Sequence, residues 1–197
     1  MHFYLEYLIN RLSRPKTISG IAKKIILSIK HLTINCFIDP KFQSQIGYDK
    51  MTEDAKTDTL REMMVNAICF TVLSFQGLAE ISKSKGYAEF YSLVALEVRS
   101  CYGNYLKAKN LDSVTIDCWN NTIIKRLDDF QIVFKKNEKE LKPMPDGNPW
   151  VYVSIVTLVS YLKDKAVTKK DPLFAPLIAW NEKIENENFK ILKTIQR

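Results

Sequence analysis

MMVNAICFTVLSFQGLA, residues 63–79, contains no charged side chain between Glu62 and Glu80. On a helical wheel its apolar residues fall on every side. A surface helix shows one apolar stripe, whereas a helix that is apolar all round has to be covered by its neighbours. The stretch therefore predicts the central helix of an all-α domain. A membrane is the other environment that accepts such a run. Seventeen residues span roughly 26 Å, however, against a hydrocarbon core of ~30 Å. Asn66, Ser74 and Gln76 also interrupt the run, and the second uncharged run, Gly147–Leu162, is shorter still.

The flanking sequence supplies helices that can do the covering. Asp58 or Thr59 can cap the central helix, with Glu62 in its first turn. Lys83, Lys85 and Gly86 read as its stop. A helix over 87–109 follows, with an aromatic-rich stripe of Tyr87, Phe90, Tyr91, Val94, Val98, Cys101, Tyr102 and Tyr105. Asp112 or Ser113 opens the next, to about Lys136, whose apolar face is Ile116, Trp119, Ile123, Leu127, Phe130 and Phe134. KPMPDGNP, residues 142–149, is a loop, and Asn148-Pro149 is a helix start.

The Trp150–Lys163 segment sends two signals. Its Val, Ile, Thr and Tyr suit a strand, but Val151, Ile155, Leu158 and Leu162 recur at helical steps. With no second strand candidate to pair with, it is read as a helix. Asp171-Pro172 opens the last helix, carrying Leu173, Leu177, Trp180, Ile184, Ile191 and Ile195. Beyond Glu185 that helix is polar enough to project. On the N-terminal side, Ile18–Cys36 is strongly amphipathic, with Ile18, Ile21, Ala22, Ile25, Ile29, Leu32 and Cys36 on one face. A short helix, His2–Arg14, precedes it and stops at Pro15. Lys41–Thr57 lacks sustained periodicity and reads as a loop or linker, with room for a short helix inside it.

The expected fold is all-α, an irregular helical bundle of about six or seven helices around a buried central helix. Its expected divisions are a basic helical arm (1–40), a linker (41–57) and a bundle body (58–197).

With 46% hydrophobic and 26% charged residues over 197 positions, the chain has the composition of ordinary soluble domains. It is long enough to bury a core without disulfides or metal. The net charge of +7 would suit an acidic partner, although the excess is Lys rather than the Arg that dominates base and phosphate readout. The cysteines, at 36, 69, 101 and 118, form no CxxC pair and sit in apolar helical patterns, as small buried hydrophobes do. The start, MHFYLEYLINRLSRPK, places its apolar part before its positive charges, unlike a secretory leader. A reducing, cytoplasmic location is expected, with a membrane surface as the alternative.

Motifs that carry chemistry are missing. The two histidines, His2 and His31, both lie in the N-terminal region, and no Glu-x-x-His pair offers a carboxylate metal site. Gly-x-Ser-x-Gly, P-loop and dinucleotide glycine patterns do not occur. Asp128-Asp129 and Glu185/Glu187 are the nearest to paired carboxylates, and both read as solvated faces with local ion pairs. Asn66, Gln76 and Arg99, inside apolar helices, read as members of hydrogen-bond networks. The Tyr87–Tyr105 stripe reads as core rather than pocket lining.

No catalytic residue, cofactor or metal is therefore expected. The function expected is non-enzymatic protein–protein interaction, as an adaptor, a scaffold subunit, or a bacterial or phage accessory protein. One alternative is a peripheral binder of anionic membrane or nucleic acid through the basic arm. Another is an enzyme whose pocket the sequence does not display. The partner surface is placed on the Ile18–Cys36 helix, opposite its core face, at Lys23, Lys24, Leu27, Lys30, His31 and Ile34. At 100° per residue, Leu27 and Ile34 stand in the middle of these basic groups. Apolar centres ringed by cations suit a partner groove with an acidic rim or anionic headgroups. The competing arrangement has His2–Arg14 folding back over both.

Overall fold

The computed structural model describes residues 17–108, 110–141, 148–163 and 171–194. Among them lie α1 (Ile18–Phe37), α2 (Pro40–Ile46), a 3-10 turn (Tyr48–Lys50), α3 (Glu53–Ile81), α4 (Lys85–Lys107), α5 (Ser113–Leu141), α6 (Pro149–Lys163) and α7 (Phe174–Lys193). The protein is an all-α bundle, with seven α-helices and no strand among the described residues. His2–Arg14, Ile195 and residues 142–147 of the KPMPDGNP loop lie outside those residues.

α3 is the axle. Every residue from Met63 to Leu73 is buried, and the helix packs against α1, α4, α5, α6 and α7. That enclosure is what an all-round apolar wheel requires. By length and composition α3 is the one described helix able to cross a membrane, but 61% of the qualifying window is already covered by protein.

α3 starts earlier than Asp58. Thr52 is its cap, accepting from the Ala55 amide at 3.2 Å, with Glu53 and Asp54 in the first turn. Thr59 instead donates its hydroxyl to the Ala55 carbonyl one turn back, at 2.8 Å, as a mid-helix threonine does. The stretch expected to be a linker, Lys41–Thr57, accordingly holds most of α2, the 3-10 turn and the first turn of α3. Asp39 caps α2 by accepting from the Lys41 and Phe42 amides, Gly47 ends it at φ 70°, and Phe42 is fully buried. Two helical turns are too short to establish a period in the sequence.

α6 is helical despite its β-branched residues. Val153, Ser154, Ile155, Thr157, Leu158 and Val159 are buried, and packing against α3, α5 and α7 overrides a weak local preference. Asn148 caps it, accepting from the Trp150 amide at 3.0 Å. α7 starts two residues after Pro172, which falls in the preceding turn. Beyond Glu185 it does not project: Asn188 and Leu192 are buried, and Phe189 and Ile191 pack against the core.

Candidate functional site

On α1 the expected partner face divides. Lys23 is exposed, and Lys24, Lys30, His31 and Ile34 are half-buried. Leu27 is 4% exposed, so it is not the apolar centre of an open basic surface. Its neighbours Ile25, Ile26, Ser28 and Ile29 are buried too, because α1 packs against α3, α4 and α7 together. Lys30 donates to the Tyr105 hydroxyl at 2.6 Å, and His31 lies 3.3 Å from the Asn35 amide. The arrangement in which His2–Arg14 covers Leu27 and Ile34 lies outside the described residues.

Three polar groupings flank α3. In the first, Asn66 donates to the Ser154 hydroxyl at 2.6 Å and to the Ser154 carbonyl at 3.2 Å. Ser154 donates on to Asn181 at 3.1 Å, and Asn181 donates to the Leu177 carbonyl at 2.9 Å. This chain bolts α3 to α6 and α7, the role expected for a buried amide. Gln76 and Arg99, by contrast, are exposed.

The second grouping surrounds Arg126 of α5, only 2% exposed. Its guanidinium pairs with Glu62 of α3, lies 3.9 Å from Asp129 and stacks 3.6 Å above the Tyr161 ring. Tyr161 donates to Asp129 at 2.6 Å. Partial burial, and then that bond, raise the Tyr161 hydroxyl above its ordinary range. Nε and Nη1 of Arg126 make no hydrogen bond. Asp129 is thus part of a structural ion cluster rather than a solvated face.

The third grouping is a cleft of about 350 Å³ between the second half of α3, α5, the start of α6, and α7. Phe70, Phe75, Leu78, Phe134, Trp150 and Phe189 give it apolar walls, with the Phe134 and Trp150 rings 4.8 Å apart. Gly77 also lines the cleft: a Cβ there would stand 3.4 Å from Trp150 Nε1, at van der Waals contact.

Ser74, Asn148, Glu185 and Asn188 also line the cleft. The Asn148 amide donates to Ser74 Oγ at 2.9 Å and to Glu185 Oε1 at 2.8 Å. Asn188 donates to Thr71 Oγ1 at 3.2 Å, while its Oδ1 is buried without a partner. Glu185, expected on a solvated face beside Glu187, is half-buried here. Glu187 does pair locally, with Lys190 at 2.6 Å.

A more polar groove of similar volume lies between α4 and α5, lined by Arg99, Asn104, Lys107 and Asn120 among others.

Ser74 faces an asparagine, which cannot take its proton, so the pairing lacks the base an activated nucleophile needs. No group of three His, Cys, Asp or Glu among the described residues is placed to hold a metal. The thiols of Cys36, Cys69 and Cys101 are all pushed up by burial, Cys36 to about 12. Cys118 departs from the buried pattern and is exposed.

Sequence reasoning missed Arg126 and Asn188, although a signal existed for each. Arg126 falls on the apolar stripe between Ile123 and Phe130, and Asn188 falls between Ile184 and Leu192. A polar residue in apolar register is buried with partners or faces a site. Comparison of the chain with known protein families, curated proteins and solved structures finds no match in any of the three.

Proposed function

We propose that the protein is a non-enzymatic binding protein whose cleft receives a small amphipathic molecule. The apolar body of the ligand lies among Phe134, Trp150 and Phe189, and its hydrogen-bonding end meets Asn188 and Glu185. The observation that carries this reading is the orphaned Asn188 Oδ1, a buried acceptor on the wall of the cleft. An unsatisfied buried acceptor costs about 1–3 kcal/mol, and a ligand that donates to it recovers that loss. A mostly apolar pocket with a few convergent polar groups is the usual form of a small-molecule site, and about 350 Å³ is within the size such sites take.

Fragment screening tests it. Fragments that bind should shift the Trp150 indole signal in NMR spectra of the full chain. Gly77→Leu should erase those shifts by filling the cleft, while keeping or raising the melting temperature, because it removes a helical glycine. The reading fails if no fragment perturbs Trp150, or if the hits bind Gly77→Leu unchanged.

A further inference from the structure

Resting on that reading of the cleft, we infer that its ligand is a cation: a protonated primary amine carried on an apolar or aromatic body. The chain has 29 Lys and Arg against 22 Asp and Glu, so a surface depression taken at random would favour basic lining. This one has the opposite sign. Glu80 and Glu185 line it, and no Lys or Arg does among the described residues.

Glu185 is the more telling of the two. Glu62 and Asp129 share Arg126, Asp171 has Lys163 at 2.8 Å, and Glu187 has Lys190. Half-buried Glu97 of α4 also lacks an ion pair among the described residues, but it does not line the cleft. Glu185 has the neutral Asn148 amide on Oε1 and no ion pair among the described residues. A partly buried carboxylate left without a counter-charge is unfavourable, and an incoming cation relieves it.

The acceptor count matches an ammonium. Glu185 and Asn188 are three residues apart on α7, hence on one face of the helix. Glu185 Oε2 and the buried Asn188 Oδ1 both lack a hydrogen-bond partner among the described residues, and Ser74 Oγ, which already accepts from Asn148, has a second lone pair. An ammonium brings three N–H donors and no acceptor. An alcohol brings one donor and leaves acceptors unmet, and a carboxylate would face like charge. The aromatic walls suit the carbon body and add a favourable field for a nearby cation.

Three probes with one phenyl body separate these cases on the full chain at neutral pH: 2-phenylethylamine, 2-phenylethanol and 3-phenylpropionate, measured by calorimetry. The amine should bind about tenfold tighter than the alcohol, the margin of a charge-assisted over a neutral hydrogen bond, and the propionate should not bind measurably. Glu185→Gln keeps an acceptor for Asn148 and removes the charge, so the amine should fall to the affinity of the alcohol. Asn188→Leu should weaken the amine more than the alcohol.

Equal affinity for amine and alcohol in the parent, or a preference for the propionate, overturns the inference and leaves the cleft a small-molecule site. Failure of all three probes to bind overturns this inference together with the reading beneath it. Binding that survives Gly77→Leu places the probes elsewhere and overturns it too. The parent comparison decides the charge question even if Glu185→Gln folds poorly.

Discussion

Arg126 on α5 and Glu185 on α7 are both charged side chains set toward α3, and their surroundings differ. Around Arg126 the chain assembles Glu62, Asp129 and the Tyr161 ring. Around Glu185 it supplies one neutral amide, with the unpartnered Asn188 Oδ1 nearby. A charge withdrawn from water is tolerated when its counter-charge is withdrawn with it. The Arg126 cluster meets that condition internally, so its role is structural. The cleft meets it in part, and its unfilled acceptors open onto space that another molecule can occupy. Burial of polar groups alone does not mark a site; incomplete pairing beside a cavity does.

The sharpest way to break this contrast is to remove Arg126. Arg126→Met should destabilise the protein by ~3–5 kcal/mol, because Glu62 is left beside the core without its cation. Adding Glu62→Leu should recover most of the loss in urea melts. If the single substitution costs little, the cluster is not closed and the contrast falls.

Phe70→Ala should cost a similar ~3–5 kcal/mol, the range for truncating a buried Phe. Phe70 has no exposed surface although it lines the cleft. A thermal melt left unchanged would mean that this wall is not core.

The asparagines sharpen the comparison further. Asn66→Leu removes two donated bonds and leaves Ser154 short of a donor, at about 1–3 kcal/mol, although Asn66 Oδ1, like Asn188 Oδ1, has no partner among the described residues. Asn188→Leu gives up one bond to Thr71 while removing an orphaned acceptor, so its loss should be under about 1 kcal/mol. Equal losses in parallel denaturant titrations would mean that the one bond from Asn188 to Thr71 holds as much as the two from Asn66 to Ser154.

A further effect is alkaline and lies outside both regions. Burial, and then the neighbouring Tyr105, push Tyr102 to about 12, against about 10 in an unfolded chain. Its neutral form is therefore favoured by folding. That contribution is complete below pH ~10 and is lost as pH rises toward the folded value. Cys36, at about 12 when folded and about 8.5 when unfolded, acts in the same direction from lower pH. The midpoint of urea unfolding should fall steadily above pH ~9, and Tyr102→Phe should flatten the upper part of that fall.

Much of the fold was legible in the sequence because helix periodicity is local. The wheel over Met63–Ala79 showed that α3 is enclosed, and the helical spacing of Val151, Ile155 and Leu158 outweighed their strand-like composition. What was not legible depended on partners far along the chain. Glu185 was grouped with Glu187 beside it, whereas its bonded neighbour Asn148 is 37 residues away. Arg126 was passed over because its residue type belongs at the surface, and its carboxylate lies 64 residues back on α3. Leu27 was placed on an open face because a wheel gives directions but not what covers each of them, and Leu27 is buried. The cleft itself is space between four helices, and no single stretch of sequence encodes it.

The bond from Asn188 to Thr71 spans 117 residues, and this has a consequence during synthesis. α3 leaves the ribosome long before α7 exists. At about 5–20 residues per second, the interval between making Thr71 and making Asn188 is roughly 6–23 seconds. For that time the run from Met63 to Leu73 lacks its final cover. The wall bearing Glu185 and Asn188 arrives last, so the cleft is the latest part of the molecule to be completed.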